Sequence, residues 1–423
     1  MKPIGLMRQL PFVVLLFILP FPGMVGLRLV GLAAVSVIVL TSWRELARLP
    51  LPCGWAIALW AGVAIASLLF AVDPAYSLGE IKHEVGYALI AFVAFLAWAR
   101  DETRLRLAGF AVLAGFSVIA GSALLGADLR HGGWPAEAYY GGVGGVSHYL
   151  VTVGPVLALT VAAVGRRHAS KWLALLAVPF VAVALLSAQR AVWPAFGVQA
   201  ALVCVWLWRV RVVAVGPARL ALTGVILLAL VGAGVYVSDR YRTGGDPESP
   251  VAMGKDLRPH VWMKVGEEIF AHPLTGAGFG RAVMGKAYPA LPPAEREVFW
   301  HPHNLVFNYG IGAGVPGMVA VLGLFAALAW RFSRLAFRGE RLARLSGLAG
   351  TTMVAGVLAR NMANDFFVRE GALLFWALAG VLFGYALRRE SMSGKDRARP
   401  PQEGPGVVVL GRAAGGCPGK RAA

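Results

Sequence analysis

Apolar residues recur along this chain in runs of about twenty, separated by short polar junctions. A run of that length is what an α-helix needs to cross the hydrocarbon core of a bilayer. The pattern therefore predicts an all-α polytopic integral membrane protein with about 12 transmembrane helices and one large periplasmic loop containing short helices. The predicted segments are 9–22, 24–42, 53–72, 85–99, 105–125, 145–165, 172–188, 191–208, 219–237, 304–330, 345–362 and 371–387.

Basic residues mark every second junction between these segments, as at Arg44 and Arg48 or along 331–344. The positive-inside rule assigns such junctions, and with them both termini, to the cytoplasm. The intervening segments are then predicted to face outward. They are 73–84, 126–144, the short junction near Arg190, 238–303 and 361–370.

Segment 238–303 is the one outward segment long enough to form a small domain. Between Asp239 and Glu297 it holds eight basic and eight acidic residues, so its charges do not follow the topology rule. The stretch "DLRPHVWMKVGEEIF" has apolar residues at helical spacing and predicts an interfacial amphipathic helix starting near Arg258. The predicted domains are 1–237 with transmembrane helices 1–9, the periplasmic loop 238–303, 304–387 with helices 10–12, and a disordered cytoplasmic tail over 388–423.

Composition supports the membrane class, because 58% of the 423 residues are hydrophobic and only 15% are charged. The net charge of +18 is explained by basic junctions and does not indicate nucleic-acid binding. The N-terminal apolar run lacks a clear cleavage site and predicts a retained first helix. Three cysteines give no disulfide framework, and His301 and His303 lack a third ligand, so neither a metal nor a cofactor is predicted.

The stretch "HPHNLVFNYGIGAGVPG" brings His303 to the start of an apolar segment. If 304–330 is one helix, Gly310 and Gly314 share a face with His303, and this G-x-x-x-G pair permits close helix approach. His303 is then an imidazole fixed at the boundary between water and lipid. The alternative is that His303 and Asn304 only cap the helix among the lipid headgroups.

Two outward arginines are candidates for an anion site. Arg190 lies between two apolar stretches with almost no loop to carry it, where a charge is costly unless it is paired or solvated. Arg258 lies at the start of the predicted amphipathic helix. An arginine fork suits phosphate oxygens. The alternatives are a snorkelling Arg190 and an ordinary solvated Arg258.

Three motifs resemble the bacterial O-antigen ligase family, within the superfamily that includes O-antigen polymerases and protein O-oligosaccharyltransferases. His303-Asn304, nine residues, and then Gly314-Val315-Pro316-Gly317 is similar to its signature. "SAQRAVWPAF" resembles its Ser-x-x-Arg junction, and "RPHVWMKVGEEIFAHPLTGAGFG" resembles a block of its large periplasmic loop. The resemblance covers roughly 140–385. The shortness of the chain, without an extended C-terminal domain, favours the ligase.

The resemblance implies a glycosyltransferase of the bacterial inner membrane that acts on the periplasmic side without cofactors. Its donor is a glycan on undecaprenyl diphosphate, and its acceptor is the lipid A–core oligosaccharide. His303 is then the catalytic base, Arg190 and Arg258 bind the diphosphate, and Asn304 orients His303 or the acceptor. An acidic residue common before the family's second glycine motif is absent here, where Ile311, Gly312 and Ala313 stand.

Further outward residues have secondary roles under this interpretation. Tyr288 and Trp300 are candidates for stacking on sugars, although aromatic residues are common at membrane interfaces. Arg360, Asp365 and Arg369 either bind phosphates or pair with each other. The rival functions are O-antigen polymerase, protein O-oligosaccharyltransferase and, from another class, a lipid-linked glycan transporter or flippase. The transporter is disfavoured because the chain shows no pseudo-symmetric halves.

Overall fold

The computed structural model describes residues 7–41, 50–126, 143–164, 168–210, 216–249, 252–291 and 300–398. These residues form helices and connecting turns, with no β-strand in the described ranges. The helices are α1 Leu10–Ile18, α2 Val25–Leu40, α3 Gly54–Ala66, α4 Pro74–Ile81, α5 Tyr87–Trp98, α6 Glu102–Leu125, α7 Val143–Val164, α8 Ala169–Leu186, α9 Val192–Arg209, α10 Pro217–Thr243, α11 Arg258–Ala271, α12 Val283–Ala287, α13 Leu305–Ala336, α14 Arg341–Asn361 and α15 Arg369–Ala398.

Nine helical stretches among the described residues are long and apolar enough to cross a membrane. Two further apolar helices, Val25–Leu40 and Gly54–Phe70, are shorter. Every predicted apolar segment coincides with a helix, so the multi-pass all-α class is confirmed, whereas the count of twelve spans stays a prediction. One span begins well before its predicted start at residue 85, because α4 and α5 join through a π-helical turn, Lys82–Gly86, into the stretch Pro74–Trp98.

The core lies where α14 and α15 meet the rest of the bundle. Helix α15 packs along α5, while α14 contacts α7, α9 and α13. Aromatic rings fill these contacts: Phe332 of α13 stacks on Phe383 of α15 at 3.6 Å between centroids, and Phe92 meets Trp376 edge to face. Because burial of apolar side chains and close ring packing hold these helices together, they form a rigid frame for the segments at their ends.

The chain between α10 and α13 packs onto helix ends through its own small apolar cluster. In α11, Val261, Val265 and Ile269 are buried against Ile311 of α13, while Phe270 stays exposed. The predicted amphipathic helix is therefore present, and its buried stripe contacts α13. Backbone pairing between the Val72 N–H and the Ala277 carbonyl, at 3.0 Å, ties the same segment to the chain before α4.

Helix α13 is broken, contrary to the expectation of one continuous helix. Ala313 and Gly314 have non-helical backbone angles, and Gly314 has φ 63°, a conformation that favours glycine. The segment 273–278 enters the break: the Gly278 N–H donates to the Gly312 carbonyl at 2.9 Å, and the Val315 N–H donates to the Pro273 carbonyl at 2.8 Å. The two glycine-rich motifs therefore pair with each other.

The motif glycines allow this close approach. A β-carbon at Gly314 would lie 2.4 Å from the Pro273 carbonyl oxygen, and one at Gly310 would lie 2.5 Å from the Ile269 side chain. A β-carbon at Gly317 would lie 2.3 Å from the carbonyl oxygen of Tyr309. Gly314 does not continue the face expected from one unbroken helix, because the non-helical angles at Ala313 and Gly314 interrupt the helical spacing.

Two predicted boundaries differ from the structure. Helix α10 continues to Thr243, past the predicted loop start at 238. Helix α15 continues to Ala398, where a disordered tail was predicted from 388, and Glu390 on it pairs with Arg331 at 2.9 Å. Residues 399–423, and the outward segment 127–142, lie outside the described residues.

Candidate active site

The segments predicted to face outward meet at one end of the bundle. Lys286 of the large loop pairs with Asp73, and Arg369 pairs with Glu80 of α4. The loop also reaches α14 and its following turn through His303 and Asn364. Segments far apart in sequence therefore share one polar region, which holds His303.

A short turn before α13 fixes a pair of histidines, His301 and His303. Their rings stack with centroids 3.8 Å apart, and the His303 N–H donates to His301 Nδ1 at 3.1 Å. The indole N–H of Trp262 in α11 donates to the Pro302 carbonyl at 2.8 Å. His303 has φ 53°, in the left-handed region. Strain of this kind persists only where surrounding contacts over-determine the conformation, as they do here.

His303 is buried, and its imidazole contacts the turn after α14. Nδ1 lies 3.1 Å from Oδ1 of Asn364. The carboxamide oxygen accepts hydrogen bonds only, so this contact selects the tautomer in which Nδ1 carries the proton and Nε2 the lone pair. This carboxamide contact orients the ring without adding charge.

His301 contacts Arg281, which follows the motif "TGAGFG". Arg281 Nη2 lies 2.8 Å from His301 Nε2, while Nδ1 faces the His303 N–H. Burial, and then the charge of Arg281, lower the pKa of His301 far below its ordinary value. A neutral imidazole has one lone pair, so it accepts from only one of these two donors at a time.

Asn304 occupies the N-cap of α13. Its Oδ1 accepts from the N–H groups of Val306 and Phe307 at 2.9 and 3.2 Å, and its Nδ2 donates to the Met362 carbonyl at 2.8 Å. The helix-capping alternative therefore describes the contacts of Asn304. Its link to Met362 also joins the histidine turn to the segment that carries Asn364.

The charges of Arg190, Arg242 and Arg258 act on one another although Arg190 and Arg258 lie 68 positions apart in sequence, and we call these three residues the arginine group. Arg190, in the turn between α8 and α9, pairs with Asp239 at 2.7 Å. Arg258, the first residue of α11, lies 3.6 Å from Asp256. Burial lowers the pKa of Arg258, Asp256 opposes that effect, and the charge of Arg190 lowers the pKa further.

The arginine group lies near the histidine pair, because α11, which begins at Arg258, contacts the turn between the two histidines through Trp262. The charge of Arg258 also acts on His301. Like charges held together in a partly buried place repel one another, and an anion bound among them relieves that repulsion. The two arginines singled out from the sequence and His303 thus lie in the same polar region.

Arg360 and Arg369 do not pair with Asp365 or with each other. Arg360 is fully buried, and its guanidinium donates to Ser147 Oγ at 2.7 and 2.9 Å and lies over the Phe366 ring. Arg369 pairs with Glu80 at 3.1 Å. Asp365 accepts instead from Asn308 Nδ2 at 2.9 Å, and burial raises the pKa of its carboxyl group.

The two candidate aromatic residues, Trp300 and Tyr288, lie in different parts of the structure. Trp300 contacts His301, with centroids 4.5 Å apart, and Arg281 lies over its ring at 5.1 Å. Tyr288 belongs to the apolar cluster between α11 and α13, and burial followed by the charge of Glu268 raises the pKa of its phenol. Trp300 thus lies at the site, and Tyr288 lies on the loop beside α11.

Three site residues escaped the sequence analysis as individual candidates: Arg242, Arg281 and Asn364. Arg281 directly follows a glycine-rich motif, a position where a functional side chain is often presented, so that signal was available. Arg242 and Asn364 carry no local signal. In the described ranges, no group of three or more His, Cys, Asp or Glu side chains has an arrangement that would hold a metal ion.

Comparison with known protein families identifies a family that matches part of the chain. No curated protein matches the chain. Residues 173–322 match the family model described as O-antigen ligase, a stretch that contains Arg190, Arg258 and the histidine pair and ends before Arg360. The resemblance inferred from the motifs is thereby confirmed over residues 173–322, where the chain matches the O-antigen ligase family model.

Proposed function

We propose that this protein is an O-antigen ligase of the bacterial inner membrane. It transfers a glycan from undecaprenyl diphosphate to the lipid A–core oligosaccharide on the periplasmic side, with both termini in the cytoplasm. The observation that carries the proposal is the contact of α11, which begins at Arg258, with the histidine turn, where the Trp262 N–H donates to the Pro302 carbonyl at 2.8 Å. The charge of Arg190 acts on Arg258 in the same region. A lipid-linked diphosphate and a hydroxyl acceptor need this combination of anion binding and proton removal.

The arginine group binds the donor diphosphate in this proposal. Guanidinium forks match phosphate oxygens, and partial burial strengthens each charge because less water screens it. The side chains of Arg190 and Arg258 are 14% and 21% exposed, which leaves them accessible yet weakly screened. Asp239 and Asp256 hold the two arginines in place before the donor arrives.

His303 is the general base of the transfer. In the tautomer selected by Asn364, Nε2 takes the proton of the acceptor hydroxyl as its oxygen attacks the anomeric carbon of the donor sugar. A new C–O bond forms while the bond from the anomeric carbon to the diphosphate oxygen breaks. Undecaprenyl diphosphate leaves with the electron pair, and the anomeric configuration inverts.

The transfer is proposed to need no metal ion, because the arginine group neutralises the negative charge that develops on the leaving diphosphate. Fixed positive groups aimed at developing charge supply electrostatic stabilisation without reorganisation at the moment of reaction. Removal of divalent cations with a chelator therefore tests this metal-free step directly.

The experiment is a transfer assay with purified protein in detergent. We expect labelled glycan to move from undecaprenyl diphosphate to purified lipid A–core, with unchanged rate in EDTA. Lengthening of the lipid-linked glycan would indicate a polymerase, and labelling of an added acceptor protein would indicate an O-oligosaccharyltransferase. Movement of donor across vesicles without glycosidic bond formation would indicate a transporter. Loss of transfer in EDTA with recovery in Mg²⁺ or Mn²⁺ would contradict the metal-free step.

A further inference from the structure

A cavity lies beside the histidine pair. Arg281 lines it, whereas Arg190 and Arg258 do not. Its volume is about 430 Å³, within the range of roughly 300–1,000 Å³ typical of small-molecule sites. It opens among the end of α1 and the starts of α4, α7 and α15. The residues used below that line it are Glu80, Glu84, Gly145, Tyr149, Arg281 and Trp300.

Four side chains that line this cavity have a buried polar atom without a partner in the described part of the chain: Glu84 Oε1, His148 Nε2, Tyr149 Oη and Arg281 Nε. Glu84 is 4% exposed and Tyr149 is 6% exposed. A buried polar atom left unbonded is destabilising, so native proteins rarely keep one without a functional reason. Glu84 also lies in the π-helical turn of Lys82–Gly86, a local irregularity that is frequent at functional sites.

The charges around the cavity are mixed. Glu80 pairs with Arg369 at 3.1 Å, and the charges of Glu84 and Asp365 both act on Arg281. This balance favours neither a polyanion nor a simple cation. Carboxylate, phenol and guanidinium groups together supply both donors and acceptors, which suits a ligand with many hydroxyl groups. The exposed Trp300 ring adds an apolar face of the kind on which a sugar ring packs.

Arg281 links the cavity to the histidine pair that contains the proposed base, His303. Arg281 both lines it and lies 2.8 Å from His301, whose ring stacks on His303. A ligand in the cavity therefore lies on the side of the histidine pair that Arg281 borders, and Arg281 and His301 link it to His303.

We propose that this cavity binds the acceptor saccharide, with Glu84 accepting from sugar hydroxyls and Tyr149 donating to a sugar oxygen. This assignment rests on the proposed glycosyl transfer and adds the place where the second substrate binds. The donor and the acceptor then approach His303 from different sides.

The sharpest test is Tyr149→Phe, which removes only the unpartnered hydroxyl. We expect the KM for purified lipid A–core to rise about 2- to 10-fold, the value of one hydrogen bond, with donor affinity and thermal stability unchanged or improved. A merely structural Tyr149 predicts an unchanged acceptor KM. A fall in kcat at constant KM would instead make the residue part of a proton path and overturn the proposal.

A second variant fills the cavity. A β-carbon on Gly145 meets no atom within 4 Å, and Gly145 lines the cavity, so we expect the side chain of Gly145→Leu to take space that the acceptor would occupy. We expect at least about a tenfold loss in kcat/KM for the acceptor with wild-type binding of undecaprenyl diphosphate. The matched control is Gly323→Leu in α13, which also has open space and lies outside the cavity lining.

The outcomes separate the two proposals. If wild-type protein moves no glycan to lipid A–core at any concentration, the proposed function fails. If wild-type protein transfers the glycan and both cavity variants keep the wild-type acceptor KM, the function stands and the acceptor site is wrong.

Discussion

The arginine group lies outside the lining of the cavity, and the two regions carry different chemistry. On one side, Arg190, Arg242 and Arg258 gather positive charge with partial offset from two aspartates. On the other, Glu84 and Tyr149 present hydroxyl-directed groups in a cavity of balanced charge. The difference suggests a division of labour: electrostatic attraction holds the leaving group, and hydrogen bonding selects the nucleophile.

The histidine between these two regions should matter most to the rate. We expect His303→Ala to reduce transfer about 10²- to 10⁴-fold, the usual contribution of a general base. Affinity for undecaprenyl diphosphate should stay within about twofold, because the arginine group supplies those contacts. Transfer assays and donor binding on the same preparation measure both. A folded His303→Ala protein with the wild-type transfer rate would contradict the role of His303 as general base.

The arginine side predicts the next largest effect. Arg190→Ala and Arg258→Ala should each weaken donor binding about 10- to 100-fold, since each removes a charged hydrogen-bond donor from an anion. Lysine at either position should restore little, because a point charge does not replace a fork. Lys255→Ala is the matched control, as this exposed lysine of the same loop pairs only at the surface with Glu248. Wild-type donor affinity in both arginine variants would place the diphosphate elsewhere.

The smallest effect is expected from Trp262, whose indole N–H donates to the Pro302 carbonyl between the two histidines. Trp262→Phe keeps the ring and removes the indole donor to the Pro302 carbonyl, so His303 should lose part of its fixed geometry. We expect transfer to fall about 2- to 10-fold, the equivalent of one hydrogen bond. Trp206→Phe is the control, because its indole makes the same kind of bond, to the Ala336 carbonyl at 2.9 Å, away from the site. Equal rates in both variants would contradict a positioning role for Trp262.

The sequence predicted the parts of this site that depend on local pattern. Apolar runs located the long apolar helices, though not α4 or α12, and the cost of a charge between two apolar runs singled out Arg190. The sequence pattern did not predict the contacts that form only when the loop folds against the helices. The break at Ala313–Gly314 depends on the segment 273–278 entering the helix, and Asn364 meets His303 only because α13 and α14 pack side by side.

The boundaries missed from sequence have a similar cause. The start of a span at Pro74 is hidden by polar residues such as Glu80 and Glu84, which read as a loop but lie on a helix facing the interior. Hydropathy alone treats a buried charge as exposed, because it contains no information about partners such as Arg369. The acidic side of the site was therefore invisible until the helices were packed.

The most direct test of the division of labour is a grid of initial rates over donor and acceptor concentrations for wild type, Arg258→Gln and Tyr149→Phe. Two separate binding regions predict that Arg258→Gln raises the KM for the undecaprenyl diphosphate donor alone. They predict that Tyr149→Phe raises the KM for lipid A–core alone. If both variants shift the same KM, or each shifts both equally, the two substrates share one region and the account is contradicted.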